Sequence, residues 1–284
     1  MLPVCVCILI HGDRRYHRAG RRAVSSVLRH SRFPVVVVTD DGSLHVRGSS
    51  RVHIVPLARD PAQSHRAAAF LLKFRALEAC LAEVQAARVL LLDADALLAA
   101  DLDETHVEAA LGGRGLGMVE QTGILGSDAD RAFFREHYRR HALGVLAPES
   151  SAPPLDRFRY YNSGVVLASR DELERLVPWA LATIATVGPR HDTGEHMVAD
   201  QDYFQVWANT LHPESCTALP WCWNHAAAWD EGFPRGDAWI LHLTNFCRGP
   251  SPWSYARLDL VRAARRMRAL AAGSWSASRS RGWT

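Results

Sequence analysis

Two aspartates at the end of an apolar run are the residues of this chain best suited to binding a metal ion. Residues 90–95 read Leu-Leu-Leu-Asp-Ala-Asp, which places carboxylates at Asp93 and Asp95. In an extended segment, side chains two residues apart point the same way, so both carboxylates can reach one cation. Carboxylate oxygens suit a hard divalent ion such as Mn²⁺ or Mg²⁺. The pattern therefore predicts a buried strand that ends at Asp93, beside a divalent cation.

Three further polar clusters follow along the chain. Asn162 leads a Ser-Gly-Val-Val segment into a strand, Asp200 and Gln201 open a helix-like stretch, and His242 lies in a late apolar strand. Each has a plainer interpretation as well. Asn162 is typical of a turn, Asp200 of a helix cap, and a lone histidine of a satisfied core residue. These alternatives stay open at the level of single residues.

The four clusters, in this order, resemble the retaining GT-A glycosyltransferases of family 8, which include glycogenin and the bacterial lipooligosaccharide galactosyltransferases. The family pattern is a strand ending in D-x-D, then F-N-S-G-V, then D-Q-D or D-Q-G, then a strand histidine before a G-x-x-K-P-W type segment. The similarity covers roughly residues 4–253. One motif departs from the family, because the chain reads Gly-Pro-Ser-Pro-Trp over residues 249–253 and lacks the lysine.

The resemblance implies how this chain binds metal and nucleotide. Asp93, Asp95 and His242 would hold Mn²⁺ (or Mg²⁺), and Asp93 would also reach the ribose. Asp13 and Tyr16 match the positions that hold the nucleobase, with Tyr16 stacked on uracil. A basic residue of the helix before the D-x-D strand would serve the donor. Two residues of that helix fit this role, Lys73 and its neighbour Arg75.

The sugar and phosphate contacts are implied in the same way. Asn162, Asp200 and Gln201 fall where relatives contact the transferred sugar, and Asp200 and Gln201 are the catalytic candidates, able to stabilise an oxocarbenium ion. Arg248 replaces the missing lysine as the cation for the phosphates, since arginine binds phosphate well.

The resemblance implies a metal-dependent glycosyltransferase that moves a hexose from a UDP-sugar, with retention. The acceptor is unknown and is a glycan, lipid, protein or small molecule; we expect it to contact residues 121–160. Two other functions compete. One is a non-catalytic protein that binds a nucleotide sugar or glycan on the same fold. The other is a phosphohydrolase with Asp93 as nucleophile, which is disfavoured because its D-x-D normally ends the first strand.

Hydrophobic periodicity predicts the elements that position these residues. In the first half it predicts strands at 4–10, 34–39, 52–57 and 89–92, and helices at 17–29 and 68–84. In the second half it predicts strands at 116–120, 164–169 and 238–243, and helices at 131–141 and 171–187, the latter interrupted by Pro178. Strands that alternate with helices indicate an α/β fold with a mainly parallel central sheet.

We expect one GT-A domain over residues 1–253, with a nucleotide-binding half at 1–105 and a sugar and acceptor half at 106–253. Residues 254–284 are expected to form a basic amphipathic helix and tail. From residue 256 onward the chain has seven arginines and one acid. This pattern fits peripheral contact with an anionic membrane surface, and it fits ordinary packing equally well.

Composition bounds the partners and the location. The net charge of +3 gives no nucleic-acid signature, so we expect no nucleic-acid partner. Six cysteines without C-x-x-C spacing favour reduced thiols. The apolar run at residues 2–10 lacks the features of a signal peptide and is too short to cross a bilayer. We expect a cytoplasmic protein, with peripheral contact between its tail and the inner membrane face as an open alternative.

Overall fold

A seven-stranded sheet lies at the centre of the computed structural model, which describes residues 2–41, 49–57, 68–121, 127–192, 197–226 and 237–243. Its strands are β1 (Leu2–Ile10), β2 (Val35–Thr39), β3 (Val52–Pro56), β4 (Ala86–Leu92), β6 (Leu116–Glu120), β7 (Tyr161–Ser169) and β8 (Cys216–Leu219). A small second sheet contains β5 (Ala96–Leu98), β9 (His225–Ala226) and β10 (Ile240–His242).

The helices cover both faces of the central sheet. They are α1 (Arg14–His30), α2 (Ala68–Glu83), α3 (Glu104–Leu111), α4 (Asp128–His137), α5 (Gly144–Leu146), α6 (Arg170–Val187) and α7 (Asp200–Val206). Two π-helical segments, Tyr138–Leu143 and Trp207–Leu211, continue α4 and α7. Each periodic segment predicted within the described residues is therefore present as the expected type of element, with ends shifted by a few residues.

The strand order in the large sheet is β3-β2-β1-β4-β7-β6-β8. Neighbouring strands are parallel except at β7, which runs antiparallel to both β4 and β6. The prediction of a mainly parallel α/β sheet is confirmed. Because β7 is reversed, its first residues lie beside the carboxyl end of β4. The start of the Asn162 segment and the end of the Asp93 strand thus meet at one edge.

Two apolar layers enclose the sheet. Alternation along β1 sends Cys5 and Cys7 towards α2, α6 and α7, and sends Val4, Val6 and Ile8 towards α1 and α3. The Cys5 and Cys80 sulfurs lie 3.7 Å apart as free thiols. The hydrogen bond with Cys80 and burial raise the pKa of Cys5 far above its usual value, so this thiol stays protonated.

Several expectations need correction. Helix α6 continues through Pro178 without interruption. Elements α3, α5, β5, β8 and β9 were not predicted. The tail helix and Arg248 lie outside the described residues. No helix in the described part of the chain is long and apolar enough to span a membrane.

Candidate metal and sugar-donor site

Asp93, Asp95 and His242 converge on one point at the carboxyl edge of β4. The His242 Nε2 atom lies 3.3 Å from Asp95 Oδ1 and 3.7 Å from Asp93 Oδ2. One ligand atom from each of the three residues lies within 4.8 Å of the others, and no other group of this kind occurs among the residues described. The predicted convergence of two acids and a distant imidazole is thus present in the geometry.

The small sheet brings His242 to the aspartates. After Asp95 the chain enters β5, and β10 pairs antiparallel with β5 so that His242 lies opposite Ala96. The amide of Leu243 donates to the carbonyl of Asp95 over 3.1 Å, which fixes the histidine strand beside the D-x-D turn. This triad of Asp93, Asp95 and His242 therefore depends on a pairing between segments about 150 residues apart in sequence.

Gly164 makes room for the imidazole. A Cβ built at this position would lie 1.9 Å from Cε1 of His242, far inside van der Waals contact. The carbonyl of Gly164 also accepts a 2.8 Å hydrogen bond from the amide of Asp93. The glycine of the Asn-Ser-Gly segment thus lets the β7 backbone approach the D-x-D strand and the His242 ring together.

A buried amide chain lies behind the ring. Gly164 N donates to Asn162 Oδ1 over 2.8 Å, and Asn224 Nδ2 donates to the same oxygen over 2.8 Å. Asn224 Oδ1 lies 3.1 Å from His242 Nδ1. Asn162 is the second residue of β7, not part of a turn. Asn224 was not identified from the sequence, because no motif surrounds it.

The donor set fits a divalent cation such as Mn²⁺. Two carboxylates and one imidazole combine hard oxygen ligands with a nitrogen ligand, a set that hard-to-borderline cations accept. Burial lowers the pKa of His242, but the hydrogen bond and charge of Asp95 and the charge of Asp93 outweigh burial and raise it. The two carboxylates therefore attract positive charge to this point, as a proton or as a metal ion.

Lys73 lies between the triad and Asp200 and contacts both. Its ammonium group is almost fully buried, donates to Asp93 Oδ1 over 2.8 Å and pairs closely with Asp200 Oδ2. It also donates to the carbonyl of Ser163 over 3.1 Å. Burial lowers the pKa of Lys73, but the charges of Asp200 and Asp93 more than offset this and raise it.

Arg75, the other basic candidate of α2, is about half exposed and pairs with Glu78. Of the two candidates for the basic residue of this helix, only Lys73 lies in the site.

Asp200 faces the Lys73 ammonium group and does not cap a helix. The N-cap of α7 is Ala199, and its amide donates to Asp202 Oδ2 over 2.9 Å. Asp200 is buried and accepts a 2.9 Å hydrogen bond from the Ser163 hydroxyl. Gln201 hydrogen-bonds with Tyr160. Burial raises the pKa of Asp202 to about 7, a feature that the sequence did not reveal.

The residues assigned to the nucleobase lie at the start of α1. Asp13 is its N-cap and accepts hydrogen bonds from the amides of Arg15 and Tyr16 at 2.7 and 3.4 Å. Hydrogen bonds from the Arg15 side chain and amide lower the pKa of Asp13. Tyr16 is 37% exposed, so it is not a core residue. Contact with a nucleobase stays a prediction for both.

Comparisons with known proteins place the fold. No protein-family model and no curated protein matches the sequence. The chain is similar in structure to mouse xyloside xylosyltransferase 1, with a TM-score of 0.50 and 17% identity over 88% of this chain and 100% of that one.

The chain is also similar to the WbbM bifunctional glycosyltransferase, with a TM-score of 0.57 and 14% identity. That match covers 93% of this chain and 52% of the WbbM chain. At such identities the likeness shows the fold alone, a GT-A-type α/β fold. The narrower resemblance to family 8 stays a prediction.

Proposed function

We propose that the protein is a metal-dependent glycosyltransferase that transfers a sugar from a nucleotide diphosphate sugar. The observation that carries the proposal is the convergence of Asp93, Asp95 and His242 beside the buried Lys73–Asp200 pair. The structural similarity to two glycosyltransferases supports it. From the resemblance described above, we propose a UDP-hexose as the donor and retention as the stereochemical outcome.

Asp93, Asp95 and His242 would hold Mn²⁺ or Mg²⁺. Their donor atoms are close enough together, and Gly164 leaves the space that the ring needs. When bound, the cation would supply positive charge against the diphosphate, whose negative charge grows as the anomeric C–O bond breaks.

The protein's own groups act on both sides of that bond. Lys73 holds Asp93 and Asp200 in place and adds a fixed positive charge near the departing phosphate. Asp200 and Gln201 lie on the sugar side, where a carboxylate favours a developing oxocarbenium ion. Asn162 has its oxygen engaged by Gly164 and Asn224, so its Nδ2 is the atom left to contact the sugar.

The acceptor would enter over the end of β6. An open cleft of about 670 Å³ there is lined by Glu120, Asp128, Arg131, Leu155, Asp156 and Arg159. Three acids and two arginines nearly balance, and such a lining suits a neutral, hydroxyl-rich acceptor better than an anionic one. Tyr160 follows this lining in sequence and contacts Gln201, which links the cleft to the donor side. These features support a glycan acceptor within the region expected from the sequence.

The proposal is tested by donor hydrolysis. Purified protein is incubated with Mn²⁺ and UDP-glucose, UDP-galactose or UDP-xylose, and the release of UDP is measured. UDP-xylose is included because one structural neighbour is a xylosyltransferase. We expect Mn²⁺-dependent release from one of these donors and a loss of at least about 100-fold in Asp95→Ala.

Arg75→Ala is the control variant, because Arg75 is exposed on α2 and pairs only with Glu78 among the described residues. Release that is unaffected by chelation or by Asp95→Ala would contradict metal-dependent transfer. Binding of UDP-sugars without turnover, with or without glycan acceptors, would favour the non-catalytic alternative.

A further inference from the structure

Asn224 belongs to a hydrogen-bond chain that starts at the backbone amide of Gly164 and ends at His242. It is 2% exposed and sits between the Trp221–Trp223 turn and β9. Its Nδ2 lies 2.8 Å from Asn162 Oδ1, and its Oδ1 lies 3.1 Å from Nδ1 of His242. None of these contacts involves a solvent-exposed group, so this series of hydrogen bonds is a fixed part of the protein interior.

The direction of every bond in this chain follows from Gly164. A backbone N–H can only donate, so the Asn162 atom facing it must be the carbonyl oxygen. That oxygen can only accept, so the Asn224 atom facing it must be the amide nitrogen. The remaining oxygen of Asn224 then faces His242 and can only accept. Nδ1 of His242 must therefore carry a proton and donate it.

The consequence for the metal triad concerns the other ring nitrogen. When the ring is neutral and Nδ1 carries the proton, the lone pair lies on Nε2, the atom nearest to Asp95 and Asp93. A metal-binding histidine needs this arrangement, and such rings usually donate their second N–H to a neighbouring oxygen. The Asn224 amide oxygen supplies that acceptor, while Gly164 leaves room for the ring itself.

We propose that Asn224 is a positioning residue that sets the tautomer and rotation of His242, so that Nε2 faces the cation. The proposal rests on the metal-dependent function proposed above. It also gives Asn162 a second role, because its oxygen orients Asn224 while its nitrogen faces the sugar side. Substitution of Asn162 is expected to weaken metal binding as well as sugar contact.

The tautomer is measured directly without metal. Protein labelled with ¹⁵N-histidine is examined by ring NMR at a pH where the ring is neutral, and the His242 signals are assigned by their loss in His242→Gln. We expect a proton on Nδ1 and none on Nε2. A ring protonated on Nε2 would overturn the proposal, whatever any substitution does to folding.

Metal affinity tests the role of Asn224. The dissociation constant of Mn²⁺ is measured by the electron paramagnetic resonance of free Mn²⁺. Asn224→Leu removes the acceptor at similar volume and is expected to weaken binding about 10–100-fold. Asn224→Asp keeps an acceptor for the ring N–H but loses the donor to Asn162 Oδ1, so it is expected to weaken binding less than Asn224→Leu does. Wild-type affinity in Asn224→Leu, or equal losses in both variants, would overturn the proposal.

Asn209→Leu is the matched control for loss of a buried amide. Asn209 is 6% exposed and bonds the backbone of Arg159, away from the triad. Its substitution is expected to lower stability and leave the Mn²⁺ constant unchanged. Failure of the wild-type protein to bind Mn²⁺ would overturn the metal-dependent function. An Nδ1-protonated ring in the same sample would still support the orientation of His242 by Asn224, so the two failures are distinguishable.

Discussion

Gly164 tests whether His242 belongs to a metal site. A Cβ at this position would lie 1.9 Å from Cε1 and 2.5 Å from Nδ1 of His242, so Gly164→Ala must push the ring away from the carboxylates. We expect the mutant to fold and to bind Mn²⁺ at least about 10-fold more weakly, as measured by the resonance of free Mn²⁺.

Gly144→Ala is the control, because the nearest atom to its Cβ would be the Arg139 carbonyl oxygen at 3.4 Å. It should keep the wild-type affinity. Unchanged affinity in Gly164→Ala would mean that His242 is not a ligand.

Site residues that belong to short sequence motifs were identified from the sequence. Residues whose place in the site depends on contacts between distant segments were not. Asp93 and Asp95 are two apart on one strand, so their shared direction follows from strand geometry. Asn224 contacts Asn162 and His242 across 62 and 18 residues, and no local pattern announces either contact. The choice of Lys73 over Arg75 also required the structure, because it depends on which side of α2 faces Asp200.

At the scale of elements, α2 supplies the buried ammonium group of Lys73, which offsets the negative charges of Asp93 and Asp200. Lys73→Met would leave the buried Asp200 without its partner and Asp93 with less compensation. Removal of one member of a buried ion pair typically costs about 3–5 kcal/mol of unfolding free energy. We expect a loss in this range from urea unfolding at neutral pH.

Arg75→Met is the control, because Arg75 lies two residues further along the same helix and forms an exposed pair with Glu78. It is expected to change the free energy of unfolding by less than about 1 kcal/mol. If Lys73→Met were equally mild, Asp200 would have another source of compensation.

Helix α7 is expected to make stability depend on pH through Asp202. Burial raises its folded pKa from 3.8 to about 7, so between these values the folded protein holds a proton that the unfolded chain has released. Stability should therefore fall as pH rises from about 4 to about 7, and stay at the lower level above that. Asp202→Asn cannot ionise and should lack this loss.

The measurement for Asp202 is urea unfolding of the wild type and Asp202→Asn at pH 5 and pH 8. From pH 5 to pH 8, the free energy of unfolding of Asp202→Asn should rise relative to that of the wild type. Asp171→Asn, an exposed acid in the first turn of α6, should keep the wild-type pH dependence. Parallel pH dependence in Asp202→Asn and the wild type would show that Asp202 is ionised throughout.

Two of the strands missed from the sequence, β5 and β9, exist only through distant partners. β5 has three residues and is a strand because β10 pairs with it from the far end of the described chain. β9 has two residues and also pairs with β10. Long elements such as α2 and β1 carry enough periodic residues to be recognised alone. Pro178 misled the prediction for α6, since packing of Leu173, Leu176 and Val177 retains the helix across it.

At the scale of the whole molecule, the site is shared between the two halves expected from the sequence. The first half supplies Asp93, Asp95 and Lys73, and the second supplies Asp200 and His242. The halves meet because β7 pairs with β4 and β10 pairs with β5. A cation and a donor bound at this junction would hold both halves of the chain together.

Binding at such a junction should stabilise the whole fold. A ligand at 100 times its dissociation constant adds about 2.7 kcal/mol, provided that it binds only the folded protein. For a chain of 284 residues this corresponds to a rise of roughly 4–6 °C in Tm. We expect that rise with Mn²⁺ and UDP together, and a smaller one with either alone, because Asp93, Asp95 and His242 would hold the cation, which would in turn attract the diphosphate. Differential scanning calorimetry measures it, and Asp95→Ala should remove the Mn²⁺-dependent part while Gly144→Ala should not. A rise with UDP that is the same in the presence of a chelator would place the nucleotide elsewhere on the molecule and separate the Asp93–Asp95–His242 cluster from donor binding.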